Sequence, residues 1–295
     1  MKLNLLIACI MTATLAACSK NKTVRAPDVY IDAVDINGNQ VYYKNGIANT
    51  LGGGANVTGP LFVEGSDMYY PISNGYLKNG TAIYLQDAGH IRSVFVKNGQ
   101  VYATGMSSSG GPAYWKNGLL VQLPDSAAPL KIVVAGTNDD IYLGGWLTGN
   151  FRYSDIAYWH NGVWHRLEEG TFMGMAVSSS GVHVIGMFST DRAGYWLNGV
   201  EQTLVDAENR MPAYMTSVSV WNDDVYITAA NNGNCLYWKN GQPVGQVSGI
   251  KQGGVAVAGG EVQVLGNIEN KIVLYRNGGV DTIGTGFAKG ICLGN

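Results

Sequence analysis

The chain has 295 residues, of which 46% are hydrophobic and only 14% are charged, and its formal net charge is -2. It contains 41 Gly, about twice the usual share, and far fewer charged residues than the roughly 25% of typical soluble domains. This composition excludes a disordered chain and a collagen, and it disfavours a helical bundle. The absence of any run of Lys or Arg also excludes nucleic acid as an expected partner. An all-β protein with many tight turns remains.

The N-terminus predicts a lipoprotein signal. Lys2 precedes an apolar run, Leu5 to Ala17, that is too short to span a bilayer, which needs about 20 residues. The next residue is Cys18, and Leu15-Ala16-Ala17-Cys18 resembles the lipobox of bacterial lipoproteins, in which the Cys thiol is acylated after cleavage. An ordinary secretory signal that happens to end in Cys is the alternative.

On the lipoprotein reading, the chain has three parts. We expect a signal peptide at residues 1–17, a tether at residues 18–27 that begins with the lipidated Cys18, and one domain at residues 28–295. The membrane is then a partner through the lipid anchor. Ser19 resembles the sorting choice for the outer membrane, so the predicted location is the bacterial cell envelope, lipid-anchored at the outer membrane.

Seven copies of a Tyr-Trp-Lys-Asn-Gly block divide the domain into repeats 1 to 7. Their Asn residues are 34 to 44 residues apart, which is the period of a propeller blade, and they are Asn45, Asn79, Asn117, Asn161, Asn198, Asn240 and Asn277. Each block predicts a strand that ends in a type I′ hairpin, because both central residues of that turn need positive φ. A Val-Tyr strand and a small apolar strand lie upstream, so each repeat contains four strands, a to d.

The two ends of the domain complement each other. The first recognisable strand begins at Asp28 and is a b strand with no a strand before it, whereas Lys289 to Leu293 form an unpaired a strand. We therefore predict a seven-bladed β-propeller of four-stranded antiparallel blades, with the ring closed by the C-terminal strand joining the N-terminal blade. Cys235 and Cys292 fall in non-adjacent blades, so we expect two buried free thiols.

The repeated blocks resemble those of a group of secreted bacterial β-propeller lipoproteins. The resemblance is carried by sequences such as Tyr114-Trp115-Lys116-Asn117-Gly118 and covers residues 28–295. It implies the propeller fold and an envelope location, and it brings no catalytic residues to this chain.

Loop lengths indicate where a ligand could bind. In a-b-c-d blades the a–b and c–d turns share one face, the turn face, and the b–c and d–a connections share the other, the loop face. The connections of the loop face vary most in length, and variable loops on a rigid scaffold are common binding sites. Three of them, in repeats 4 to 6, carry aromatic and charged residues outside the repeat pattern. The candidate ligand-binding residues are Trp146, Asn150, Phe151, Arg152, Tyr153, Asp155, Asp191, Arg192, Arg210 and Tyr214.

Each candidate has a simpler explanation: the aromatic residues could pack the loops onto the domain, and the charged residues could be ordinary solvated surface. The four His residues do not converge, and no nucleophile or nucleotide-binding motif occurs, so we predict no catalytic residue, no metal site and no cofactor. The four repeat-slot residues Trp115, Trp159, Trp196 and Trp238 are expected to be core.

Three functions remain open. The leading hypothesis is a membrane-anchored, non-enzymatic binding or scaffold propeller with a glycan or protein ligand on the loop face. The alternative is a polysaccharide hydrolase or lyase that uses loop-face carboxylates such as Asp155, Asp191 or Glu208, or the pair Glu168 and Glu169, which we place in a d–a loop. The third is a purely structural propeller within a larger envelope complex.

Overall fold

A computed structural model of the protein describes residues 27–51, 56–124, 127–148, 154–188, 192–250, 253–258 and 260–294. The predicted signal peptide, Cys18 and the tether up to residue 26 lie outside the described residues. Within the described ranges the chain forms strands joined by turns and loops, and none of it forms a helix long and apolar enough to cross a membrane.

The strands follow one another closely along the chain. Those up to residue 122 are β1 (Asp28–Val34), β2 (Gln40–Lys44), β3 (Ile47–Thr50), β4 (Phe62–Glu64), β5 (Asp67–Ile72), β6 (Gly75–Lys78), β7 (Thr81–Tyr84), β8 (Ala88–Lys97), β9 (Gln100–Ser107), β10 (Pro112–Lys116) and β11 (Leu119–Gln122). The middle of the chain contains β12 (Ala127–Ala135), β13 (Asp140–Thr148), β14 (Ser154–His160), β15 (Val163–Ser178), β16 (Gly181–Phe188), β17 (Ala193–Leu197) and β18 (Val200–Glu201). The remainder contains β19 (Tyr214–Trp221), β20 (Asp224–Asn231), β21 (Asn234–Lys239), β22 (Gln242–Ser248), β23 (Gly254–Ala258), β24 (Glu261–Ile268), β25 (Lys271–Arg276), β26 (Gly279–Thr285) and β27 (Phe287–Gly294).

The described strands pair into antiparallel sheets, most of them with four strands. These are β27-β1-β2-β3, β4 to β7, β8 to β11, β19 to β22 and β23 to β26, while β12 to β18 form one seven-stranded sheet. The larger sheet arises because the long strand β15 pairs with β14 through its first part and with β16 through its second. Glu168 and Glu169 lie inside β15, so the prediction that they occupy a loop is wrong: ladder pairing continues from Glu169, opposite Asp155, to Gly170, opposite Phe188.

The last described strand pairs with the first. Ladder partners run from Asp28 opposite Gly294 to Val34 opposite Phe287, so β27 provides the a strand of repeat 1. A hydrophobic cluster also joins β1 and β2 to the sheet of β23 to β26, with Ile31 packed in the same cluster as Leu265 and Leu274.

The Asn-Gly turns are as predicted, with φ of 49–51° at all seven Asn residues and 74–87° at the following Gly. The Asn side chain has a second role that the turn pattern does not reveal. In five repeats its Oδ1 accepts a hydrogen bond of 2.8–2.9 Å from the backbone N–H at or near the start of the b strand, as Asn117 does from Val101. Each of these residues therefore fixes the c–d turn to the neighbouring strand.

The core lies between successive sheets. The four repeat-slot Trp residues are between 0% and 9% exposed, which confirms that they are core residues. Trp115, for example, packs with Tyr69 and Ile91, and so joins the sheet of β8 to β11 to the sheet of β4 to β7. Trp238 similarly packs with Ile185 and Tyr195 of the preceding sheet. Buried apolar faces on both sides of each sheet explain why the chain carries so few charges.

Candidate functional site

The a strands of several sheets line a shared cavity of about 510 Å³. Strands β4, β12, β15, β19, β23, β24 and β27 contribute to its wall, and all but β15 and β24 are edge strands of their sheets. Edge strands carry backbone N–H and C=O groups that have no ladder partner on their outer side. The cavity is thus walled by polar backbone as well as by side chains, and its volume falls within the usual range for small-molecule sites, about 300–1,000 Å³.

The side chains of the cavity wall are positive and hydroxyl-rich. Lys131 and Lys289 are its charged residues, and no Asp or Glu belongs to the described lining. Hydroxyl groups come from Tyr214, Thr216, Ser217 and Ser219 on β19.

A buried carboxyl group lies on β1, the strand that pairs with β27 of this wall. Asp32 of β1 is 1% exposed and accepts hydrogen bonds from the Gln40 amide and, at 3.3 Å, from the Tyr70 hydroxyl. Burial raises the pKa of Asp32 to about 6, and the positive charge of Lys289 opposes that rise. Lys289 itself donates a hydrogen bond of 2.7 Å to Gln40.

The raised pKa of Asp32 predicts a pH-dependent stability. The folded state holds this proton more tightly than the unfolded state, so stability should fall as the pH rises from about 4 to about 6 and stay reduced above that. Asp32→Asn should raise the free energy of unfolding at pH 7.5 by about 1–2 kcal/mol, less than the roughly 3 kcal/mol of the full shift because an amide is buried instead. Urea denaturation at pH 4 to 8 measures both effects.

Asp67→Asn is the matched control for this measurement. Asp67 is only half-buried and pairs with Lys78 at 2.8 Å, and the hydrogen bond from Lys78 lowers its pKa. Removing that carboxylate should leave stability slightly lower or unchanged at pH 7.5. A loss of stability in Asp32→Asn at pH 7.5 would contradict the prediction.

His183 forms a hydrogen-bonded cluster on the turn face that the sequence did not single out as a site. Its Nε2 lies 2.7 Å from the Ser178 Oγ and its Nδ1 lies 2.8 Å from the Tyr195 hydroxyl. Burial lowers the pKa of His183 to about 4, so the ring is neutral at neutral pH and is a weak base. In four other repeats the residue at this position is a Tyr, and the Lys of the c–d turn lies over its ring, as Lys239 lies over Tyr226. In repeat 5 the His183 cluster takes the place of this structural contact.

Half of the predicted ligand-binding residues lie outside the described residues. They are Asn150, Phe151, Arg152, Tyr153 and Asp191. Their role in binding stays a prediction.

Two predicted residues lie on the paired strands β13 and β14. Trp146 is half-buried and packs against a core cluster that contains Phe172 and Trp196, and its indole N–H has no partner within the described structure. Asp155 forms an ion pair of 2.8 Å with Arg166 of the adjacent strand. Both side chains therefore make local contacts that stabilise this sheet, whatever further role they have.

The two predicted arginines are bound by neighbouring acids. Arg192 stacks over the Phe188 ring, 3.7 Å from its centroid, and pairs with Glu201. Arg210 binds Asp206 at 2.8 Å through its Nε and also through its backbone amide. That amide hydrogen bond lowers the pKa of Asp206, so this carboxyl is a poor proton donor.

Tyr214 is the described candidate that borders the cavity. It begins β19 on the loop face, its side chain is 40% exposed, and its hydroxyl lies 3.6 Å from the Met173 sulfur. Lys131 also borders the cavity, and sequence reasoning missed it. The available signal was a lone Lys in the apolar strand β12, Ala127–Ala135.

Within the described ranges, no group of three His, Cys, Asp or Glu residues lies close enough together to bind a metal ion. Cys235 and Cys292 are both free, as expected; Cys235 is buried and Cys292 is half-buried. The Cys292 thiol lies 3.0 Å from the Leu61 carbonyl oxygen, and burial raises its pKa to about 12. It is therefore neutral at physiological pH.

No protein-family model matches the chain, and no curated protein matches it. Solved structures do. Apo AztD from Citrobacter koseri is 12% identical over 92% of this chain and 99% of its own, with a TM-score of 0.51. A streptogramin B lyase is 12% identical over 86% of this chain and 87% of its own, with a TM-score of 0.52. The β-propeller domain of the Trilobed protease from Pyrococcus furiosus is 14% identical over 86% and 93%, with a TM-score of 0.51. Likeness at such identities shows the fold alone, and in fold this chain is a β-propeller.

Proposed function

We propose that the protein is a lipid-anchored binding propeller of the bacterial cell envelope, with seven blades in a closed ring and a ligand site on the loop face. The ligand is a glycan or a protein, and the protein does not transform it. Cys18 carries the anchor, and residues 19–27 tether the propeller to the outer membrane.

Three observations support the closed seven-bladed ring. Seven Asn-Gly turns recur with the same backbone conformation. Strand β15 accounts for the single larger sheet, because it serves as the d strand of repeat 4 and the a strand of repeat 5. Strand β27 pairs with β1, and an apolar cluster joins repeat 7 to repeat 1.

The position of Tyr214 is the observation that carries the binding proposal. An exposed aromatic ring at the rim of a cavity can stack on a sugar ring or pack against a peptide while its hydroxyl forms a hydrogen bond. Met211, three residues earlier on the same connection, is a second exposed apolar side chain.

The charges of the loop face favour binding over hydrolysis. A glycoside hydrolase needs two carboxyl groups facing one substrate, one of them with a raised pKa. Four acids among the described residues of repeats 4 to 6 are paired with arginines instead: Asp155 with Arg166, Asp206 and Glu208 with Arg210, and Glu201 with Arg192.

A glycan array and a pull-down from envelope extract test the proposal. The probe is the chain with Cys18→Ala, which removes the thiol that the lipid would occupy. We expect binding to fall at least tenfold in the triple variant Arg152→Ala, Tyr153→Ala and Tyr214→Ala, because these changes remove two predicted aromatic contacts and one predicted charge from the loop face.

Leu119→Ala is the control, because Leu119 is 73% exposed next to an Asn-Gly turn on the turn face. It should bind like the parent protein. Near-UV circular dichroism and the melting temperature establish that each variant folds. Unchanged binding by a folded triple variant would rule out this part of the loop face, and turnover of a polysaccharide would replace the binding function by an enzymatic one.

A further inference from the structure

Five a strands carry a β-bulge at the same place in their ladders. In each case one residue of the a strand has no ladder partner on the b strand. The gap lies opposite the second and third residues that follow the Tyr slot of the b strand. The skipped residues are Lys289, Arg92, Leu130, Met173 and Thr216 in repeats 1, 3, 4, 5 and 6. A bulge redirects the side chains beside it, and three of these residues, Lys289, Met173 and Thr216, line the cavity.

The residue that follows the bulge is small in every one of these repeats except one. It is Gly290, Ser93, Gly174 or Ser217 in repeats 1, 3, 5 and 6, and it is Lys131 in repeat 4. A long cationic side chain therefore stands where the other strands leave space. Gly290, Ser217 and Gly254 belong to the same cavity wall and leave room in front of it.

The charge of Lys131 has no counterpart within the described structure. It makes no ion pair or hydrogen bond with any described residue. The other charged group of the wall is Lys289, which is also a cation, and the neutral thiol of Cys292 adds no negative charge. Desolvation by the surrounding wall lowers the pKa of Lys131. A half-buried charge without a partner carries a desolvation cost, and an anion in the cavity would offset that cost.

We propose that the cavity binds a small hydroxylated organic carboxylate, with the carboxylate held by Lys131. Lys289, the unpaired bulge residue of β27, lines the same wall, but its ammonium group donates a hydrogen bond to Gln40 and its charge acts on Asp32, so Lys131 provides the charge that the ligand meets. The hydroxyl groups of the ligand bind the polar part of the wall: Thr216, Ser217, Ser219 and the free backbone edges of the a strands. This site goes beyond the loop-face function proposed above, because a molecule of this size fits inside the cavity and needs no contact with the loops.

The choice of a hydroxylated carboxylate follows from two features of the lining, its positive charge and its polar hydroxyl and backbone groups. The charge of Lys131 favours an anion, and a planar carboxylate can accept hydrogen bonds from an ammonium group. A purely apolar acid would leave the edge-strand N–H and C=O groups of the wall without water or ligand partners, which is unfavourable. A neutral polyol would satisfy those groups and leave Lys131 uncompensated.

Isothermal titration with three six-carbon probes tests the proposal on the chain with Cys18→Ala. D-gluconate has the carboxylate and the hydroxyl groups, D-glucitol lacks the carboxylate, and hexanoate lacks the hydroxyl groups. We expect gluconate to bind at least tenfold more tightly than either of the other two. Sulfate serves as a plain anion, and sulfate binding equal to gluconate binding would overturn the proposed ligand class.

Lys131→Met tests the site itself, since it keeps an unbranched side chain of nearly the same length and removes the charge. We expect gluconate affinity to fall at least tenfold, and gluconate to raise the melting temperature of the parent protein and not of the variant. Without ligand the variant should melt at the same or a higher temperature, because an unpartnered, half-buried charge is gone. Lys239→Met, on the turn face beside Asp224, is the control and should bind gluconate like the parent protein.

The result is independent of the loop-face test. Equal gluconate binding by the parent protein and Lys131→Met, or no binding of gluconate at all, would overturn the cavity site. Neither outcome bears on glycan or protein capture by Arg152, Tyr153 and Tyr214.

Discussion

Deletion of residues 288–295 should destabilise the whole domain and not only its last strand. The deletion removes nearly all of β27, which forms ladder pairs with every residue of β1 from Asp28 to Val34. It also exposes the inner edge of β1 and opens the apolar cluster that Ile291 shares with Ile31 and Leu274. We expect the melting temperature to fall by more than about 10 °C, which corresponds to several kcal/mol in a domain of this size.

Two point variants keep this prediction testable if the shortened chain is insoluble. Ile291→Asp places a charge in the cluster between β27, β1 and β24 and should reproduce much of the loss. Phe287→Asp changes a side chain of the same strand that is 54% exposed and should have little effect. A shortened chain with the melting curve of the parent protein would contradict the role assigned to β27.

The local repeat made most of the fold predictable. Asn-Gly needs positive φ at two successive residues, and that requirement is readable without knowing the rest of the structure, as Asn117 and Gly118 illustrate. The continuous strand β15 was not predictable in the same way. Glu168 and Glu169 are poor strand formers, and their place in a ladder depends on pairing with β14 and β16, which are neighbours in space.

The candidate binding site was less predictable from the sequence, because the path of a loop decides which charged side chains pair with one another. A charged residue such as Arg210 in a long loop is typical of a ligand contact. In the structure a turn brings Asp206 and Glu208 against its guanidinium group. Lys131 shows the opposite case. Its sequence neighbours are apolar, and the bulge that precedes it, together with the small residues on the facing strands, is visible only in the ladder register.

Trp238→Phe should cost about 2–3 kcal/mol of unfolding free energy, and Trp159→Phe should cost less than half as much. The two residues occupy the same repeat slot, and both are buried. The Trp238 indole N–H donates a hydrogen bond of 2.7 Å to the Val205 carbonyl, in the connection between repeats 5 and 6, whereas the Trp159 indole N–H is buried without a partner among the described residues. Phenylalanine leaves a void at either site.

At residue 238 the substitution also removes the hydrogen-bond donor of the Val205 carbonyl, and at residue 159 it removes an unsatisfied polar group, which is favourable. Urea denaturation of both variants measures the difference. Trp115→Phe should resemble Trp238→Phe, because its indole donates to the Gln86 carbonyl at 2.9 Å in the connection between repeats 2 and 3. Equal losses at all three positions would mean that ring volume alone decides, and that the hydrogen bond from the slot Trp to the preceding connection contributes nothing to holding successive sheets together.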